Sequence, residues 1–350
     1  QVNAVASFIV NYGWREVIIF HMDDDYGTNG ASTLVTLLQD RGSKLIHKIP
    51  VASWIENTTI CALLAQLANE EARIFVLHTH PDVGFRILEE AQNQQMLDSG
   101  YVWIVTDLIA NHLGDPHVNP SIPTYTQGII GIRRYIAHSS RLQSFMIRIK
   151  SKLSQNFPID LDQNHINIYG LYAYDAVWAV AHAISSYLIH QEKVTFLLPE
   201  KIPAISGGES ELAQMRVFEG GLVMRDCILK TKFMGIAGAI EFDKAGDLVG
   251  GVFEYINMVG RNPHIVGYWW WENNHGNLSL IPPQNDALKP PEINFNDILS
   301  LDGKPTKYTP MPIIWPGKVT KTPHGWATPK RGKAFKIAVP WKAGYTQLVQ

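Results

Sequence analysis

The apolar positions of the chain fall into a regular rhythm over its first third. EVIIF at 16–20 reads as a buried strand, and NGASTLVTLLQDRG at 29–42 then puts Leu34, Leu37 and Leu38 on one helical face, with Gly42 as the stop. KLIHKIPV at 44–51 predicts a second strand, TICALLAQLANEEA at 59–72 a helix and RIFVLH at 73–78 a third strand. VGFRILEEAQNQQML at 83–97 and YVWIVT at 101–106 repeat the pair, while NAVASFIVNYGW at 3–14 reads as a helix upstream of them all. Strands and helices that alternate with short joints predict a parallel sheet covered by helices, half of a doubly wound α/β architecture.

The rhythm changes from Gly128. GIIGIRRYI at 128–136 reads as a strand, RLQSFMIRIKSKL at 141–153 as an amphipathic helix, and 167–190 as a long helix whose small and aromatic residues suit close packing. A loop is expected at 199–208 and a helix over 209–230, with Gly220 and Gly221 in its middle working against it. GAIEFDKAGDLVGGVFEYINMV and HIVGYWWW predict antiparallel strands joined by glycine-rich turns. The two acids Asp243 and Asp247 therefore belong to a hairpin turn, not to a catalytic pair, and the YWWW run at 268–271 is read as packing.

Beyond Leu280 the composition shifts. Half of the twenty prolines lie between Pro282 and Pro329, which predicts extended, unpacked backbone. AFKIAVPWKAGY then opens a new strand without a partner in the remaining text. The division expected is a body at 1–281, a proline-rich linker at 282–333 and the first strand of a second domain at 334–350. The chain opens on Gln1 rather than Met and directly on a helix, so it reads as a piece of a longer one.

Charge narrows the function. A net charge of −2 with no basic stripe gives no electrostatic case for nucleic acid. The longest apolar runs fall well short of the roughly 20 residues of a membrane span, and no signal-like segment opens the chain. Cys61 and Cys227 form no CxxC, so zinc is unsupported and a long-range disulfide stays open. Asn57 and Asn277 stand in N-x-[ST] triplets that a secreted chain would glycosylate.

The candidate chemistry lies at the strand ends. HMDDDYGTNG at 21–30 crowds three aspartates after the first strand, and ligands of open parallel sheets sit outside the carboxyl ends of the strands. Three such ends should share one rim. It offers Asp23, Asp24, Asp25, Tyr26, Thr79, His80, Asp82 and Asp107, a set suited to a polar cation such as an α-ammonium group. The alternative is local: Thr28 or Asn29 caps the following helix while Asp23 and Asp24 are solvated, and His78 is a satisfied strand-end histidine. Calcium-loop spacing is absent after Asp23, Asp25 and Gly27. GxGxxG after a strand, GxxxxGK[ST], HExxH and GxSxG are also missing, and Gly235 and Gly238 precede a strand. The residues thus call for no catalytic group, no metal and no cofactor.

Several blocks together carry a resemblance. NYGWREVIIFHMDDDYGTNG, RIFVLHTHPDVG, GYVWIVTD, YGLYAYDAVWAVAHAI, GIAGAIEFDKAGD, VGYWWW, IIWPGK with TPHGWATPKRGK, and KIAVPWKAGYTQLV resemble, in order, the plant glutamate receptor-like channels, kin of the animal ionotropic glutamate receptors. The resemblance implies an extracellular amino-terminal domain of periplasmic-binding-protein type I, a bilobal Venus flytrap that clamps an amino acid and lacks the start of its first lobe here. It also implies homo- or hetero-tetrameric channel subunits at the plasma membrane, with membrane contact only through segments downstream of Gln350. Metabotropic glutamate receptors are similar around DYG and TD, which implies ligand contact by Tyr26 and Asp107. Their basic residue after that aspartate has no clear counterpart, although His112 stands near. Tyr26, Thr79, Asp82 and Asp107 are the expected ligand contacts, with Asp24, Asp25 and His80 on the rim. A soluble solute-binding protein of the same fold is the alternative, and a sheet enzyme using the acidic rim a more remote one.

Overall fold

The computed structural model describes residues 1–113, 125–136, 139–156, 168–190, 194–197, 217–272, 275–280 and 312–327. Eight described strands form one sheet: β1 (Glu16–Met22), β2 (Lys44–Val51), β3 (Ile74–His78), β4 (Val102–Val105), β5 (Ile130–Arg134), β6 (Phe253–Val259), β7 (Asn262–Glu272) and β8 (His275–Leu280). Their order is β8-β7-β6-β5-β4-β3-β1-β2. The five from β2 to β5 are parallel, and β6 to β8 join antiparallel beyond β5. The parallel half predicted by the alternating rhythm and the later hairpins are thus parts of one mixed sheet.

Helices α1 (Val2–Asn11) and α2 (Asp25–Asp40) cover one face, and α3 (Asn57–Leu67), α4 (Pro81–Asn93) and α5 (Asp107–Ala110) the other. The apolar runs serve both faces, because successive side chains of a strand point opposite ways. On β1, Val17 and Ile19 join α1 and α2, while Ile18 and Phe20 join α3 and α4; on β3, Ile74 and Val76 part from Phe75 and Leu77 in the same way.

A helical segment is inserted between β5 and β6. It comprises α6 (Ser140–Asn156), α7 (Ile168–His190) and α8 (Gly221–Leu229), with two short antiparallel pairs, Phe196–Leu197 with Val217–Phe218 and Phe233–Met234 with Ala239–Ile240. The helix expected over 209–230 is corrected here. Gly220 is the cap and Gly221 the first residue of α8, so the glycines begin the helix instead of interrupting it. The expected loop at 199–208 and the strand at 334–350 lie outside the described residues. The 243–247 turn forms as expected, with Asp243 Oδ1 accepting the Ala245 and Asp247 N–H groups.

The proline-rich stretch departs most from expectation. Residues 312–327 are packed against the sheet, not free of it. Trp315 is 1% exposed and sits edge-on to Trp14 and Tyr12. Trp14 Nε1 donates to the Pro323 carbonyl at 2.9 Å, Asn257 exchanges two 2.9 Å hydrogen bonds with the Ile314 backbone, and Trp326 bridges to Ala72. Proline density forecasts extended backbone; it does not forecast where the intervening tryptophans go. Cys61 is exposed, Cys227 is buried, and neither forms a disulfide. Of the YWWW run, Tyr268 and Trp269 are buried and Trp271 is exposed, so packing holds for its first half.

Candidate functional site

Strand order fixes where a ligand can sit. The chain leaves β1 into α2 on one face of the sheet and leaves β3 into α4 on the other. A crevice opens between such strands at their carboxyl ends. Asp23 to Tyr26, Thr79 to Asp82 and Thr106 to Asn111 all leave the sheet at that end.

Helix α2 starts four residues earlier than its apolar period suggests. Asp24 is its N-cap, with Oδ1 accepting the Gly27 N–H at 2.7 Å, so the cap is neither Thr28 nor Asn29. Two glycines let the helix press inward. A Cβ at Gly27 would stand 2.1 Å from the Met22 carbonyl oxygen, and one at Gly30 would stand 2.1 Å from His78 Nε2. The other Asp24 oxygen lies 3.4 Å from His80 Nε2 in a largely exposed pair, worth little in water. Asp25 is exposed in the first turn of α2 and Asp82 in the first turn of α4, where carboxylates favour the helix dipole.

Tyr26 and Asp107 meet. The tyrosine hydroxyl donates to Asp107 Oδ1 at 3.2 Å, and the same oxygen accepts the Leu108 N–H at 2.9 Å. The half-buried Asp107 keeps its second oxygen free of hydrogen bonds among the described residues. Burial, and then the Asp107 charge, push the Tyr26 hydroxyl far above its ordinary pKa, so it remains a proton donor. The Tyr26 ring rests on His78, with centroids 4.2 Å apart. His78 is buried between the Thr106 hydroxyl, 3.1 Å from Nδ1, and the Tyr26 carbonyl, 3.3 Å from Nε2. Burial lowers its pKa, leaving a neutral ring that donates from Nε2 to the carbonyl. His78 is the satisfied strand-end histidine, and it braces Tyr26 from behind.

The rim expected from sequence is therefore divided. Tyr26 with Asp107 form one polar pair, Asp24 with His80 another, and Asp25 and Asp82 stand in solvent. Thr79 is fully buried with its hydroxyl unpartnered, so in this structure it does not offer that hydroxyl to the crevice. Asn57 is exposed and accepts from Arg86, while Asn277 is half-buried on edge strand β8. His112 is half-buried at the end of α5. A shallow cavity at the amino-terminal end of β1, lined in part by Arg15, Glu71 and His324, lies at the other end of the strand from this rim.

Sequence reasoning missed the other wall. Tyr169 and Tyr172, in the first turns of α7, stand edge-on with centroids 6.4 Å apart. The hydroxyls of both tyrosines lie within electrostatic reach of Asp107. Burial foremost pushes Tyr172 up to about 12, so it too stays protonated. The signal was YGLY, two tyrosines three residues apart on one helical face, read there as packing. A free carboxylate oxygen flanked by hydroxyls and aromatic faces is chemically fit to hold a cationic group.

Comparison with known proteins identifies the family. The profile described as "Receptor family ligand binding region" matches residues 1–261. The chain is 32% identical over 353 residues to Glutamate receptor 3.1 of Oryza sativa subsp. japonica, covering 100% of this chain and 36% of that protein. It is 33% identical over 350 residues to Glutamate receptor 3.4 of Arabidopsis thaliana, covering 100% and 34%. With Glutamate receptor 3.2 of Arabidopsis thaliana it shares 32% over 354 residues, covering 99% and 36%. The chain thus spans about a third of the length of the curated relatives it matches.

Proposed function

The chain belongs to the receptor ligand-binding-region family, of periplasmic-binding-protein type I fold, and from that premise we propose that it is the extracellular ligand-binding part of a glutamate-receptor-like cation channel. Its ligand is a free amino acid whose ammonium group rests on Asp107 and Tyr26. The observation that carries this is the Asp107 carboxylate, one oxygen fixed by Tyr26 and Leu108 and the other left open beside Tyr169 and Tyr172. Binding is the proposed role, supported by the family and by His78, whose ring is committed to Thr106 and Tyr26.

The channel part of the reading rests on relatives that align along the whole chain in one order. Among the described residues no helix is long and apolar enough to cross a membrane. In this reading the span, the pore and the contacts between homo- or hetero-tetrameric subunits belong to segments beyond these residues, and the domain occupies the outer face of the plasma membrane. The division into a body at 1–281, a linker at 282–333 and a following domain from 334 belongs to the same proposal, with 312–327 as the docked part of the linker.

Saturation-transfer NMR on the 350-residue chain with the twenty common L-amino acids tests the ligand reading and detects weak binding. At least one amino acid should show transfer. Tyr26→Ala and Asp107→Ala should each weaken it by about 1–3 kcal/mol, the scale of one lost hydrogen bond involving a charged group. Transfer to none of the twenty, or equal affinity in variants and parent, would remove the reading.

A further inference from the structure

Two adjacent arginines end β5 in different circumstances. Arg133 is closed off, its Nε donating to Glu254 Oε1 at 2.6 Å, with Glu254 buried. Arg134 points to the opposite face of the sheet, since successive strand residues alternate. It is half-buried, and among the described residues no hydrogen bond or ion pair engages its guanidinium. A cation partly removed from water without a partner costs free energy, and an anion beside it would offset that cost.

The backbone makes room for this side chain. Gly251 adopts φ +107°, and a Cβ there would stand 2.8 Å from both Cζ and Nη2 of Arg134. Only a residue without a side chain leaves the guanidinium where it is. Strand register then places the arginine. β4 and β5 run parallel with Val105 opposite Gly131, so Asp107 and Arg134 leave the same end of the sheet. The Tyr172 hydroxyl lies within electrostatic reach of both. One carboxylate with a free oxygen and one guanidinium without a partner among the described residues thus lie at the same end of the sheet, both within electrostatic reach of the same tyrosine.

We propose that Arg134 receives the carboxylate of the ligand whose ammonium group rests on Asp107 and Tyr26, which makes the site selective for zwitterions. The inference rests on the amino-acid reading above and deepens it. A guanidinium presents its N–H groups in a planar fork that matches a carboxylate bidentately. Free α-amino acids meet both charges; amines, polyamines and amino-acid esters meet only one.

The test compares, on the full chain, the amino acid that shows the strongest saturation transfer with its own methyl ester. The parent should favour the acid by about tenfold or more, the scale of one charge-assisted contact. Arg134→Gln should reduce acid affinity by at least about tenfold and bring acid and ester level, while Asp107→Asn should weaken both alike. If the glutamine variant does not melt like the parent, Arg134→Met, which keeps the apolar stem, decides by the same comparison. A folded Arg134 variant that keeps the parent's preference for the acid overturns the proposal and leaves the amino-acid reading standing. Binding of no amino acid by the parent overturns that reading and this inference together.

Discussion

The sheet body and the helical segment inserted between β5 and β6 are both rich in apolar residues, yet they are covered very differently. The body buries residues such as Trp14, Trp103 and Phe75 between helices on both faces, and residues 312–327 close its amino-terminal edge with Trp315. Among the described residues the inserted segment buries little: Phe145, Leu171, Ile236 and Ala237 form one small cluster, and Ala183, Tyr187 and Cys227 another. Helix α7 presents Val177, Val180, Ile184 and Leu188 on the side away from Leu171, Ala179 and Ala183, and Val177 is 70% exposed. A helix apolar on all sides is normally a buried one. The comparison teaches that the body closes a continuous core on both sheet faces, while the described part of the inserted segment is joined by small clusters and a few specific ties, and the proposed crevice lies where the two meet.

The largest effect should come from the body. Trp14→Ala empties a core position and orphans the Pro323 carbonyl, and should cost about 3–5 kcal/mol in denaturant titration. Next comes the main tie of the inserted segment. Asp175, 2% exposed, accepts the Ile236 and Ala237 N–H groups at 2.8 Å each, joining α7 to the 233–240 hairpin. Asp175→Ala should cost about 2–3 kcal/mol, with faster hydrogen exchange confined to 168–190 and 217–240. Equal acceleration in β1 and β3 would show the two regions to be one cooperative unit and break the comparison.

A smaller effect is set by pH. Burial foremost lowers the pKa of both His21 and His78 in the folded chain, so the unfolded chain binds more protons as pH falls. Stability should therefore decline below about pH 6.5, the ordinary histidine value, and His78→Gln should flatten that decline in melting curves taken between neutral pH and pH 5. Smallest of all, Val177→Ser should change stability by no more than about 0.5 kcal/mol, as surface substitutions do, while lowering the binding of a fluorescent apolar dye. A loss of several kcal/mol there would mean that the stripe on α7 is covered after all.

The same contrast explains what the sequence disclosed. The run EVIIF was legible because a strand buried on both faces reads as continuous apolar text, whereas KLIHKIPV matches β2, an edge strand in which only Val51 is buried, through apolar residues set between polar ones. The carboxyl-end rule put Tyr26 and Asp107 on one rim, and the structure joins them by a hydrogen bond. The rule could not tell Asp24 the cap from Asp24 the contact, since both roles call for an aspartate at a turn, nor show that Thr79 is sealed beneath α4. Tyr169 and Tyr172 show in the sequence only as the YGLY spacing, and nothing local says that α7 brings them within reach of Asp107, because that depends on long-range placement. Trp315 and Trp326 were hidden among prolines whose local preference says nothing of a distant core.

The most direct test of the crevice is hydrogen–deuterium exchange of the 350-residue chain with and without a saturating mixture of the twenty L-amino acids. The account predicts slowed exchange at 24–27, 106–112 and 168–172, where the two walls face each other, with the outer stripe of α7 unchanged. Protection elsewhere with none at these three stretches would contradict it.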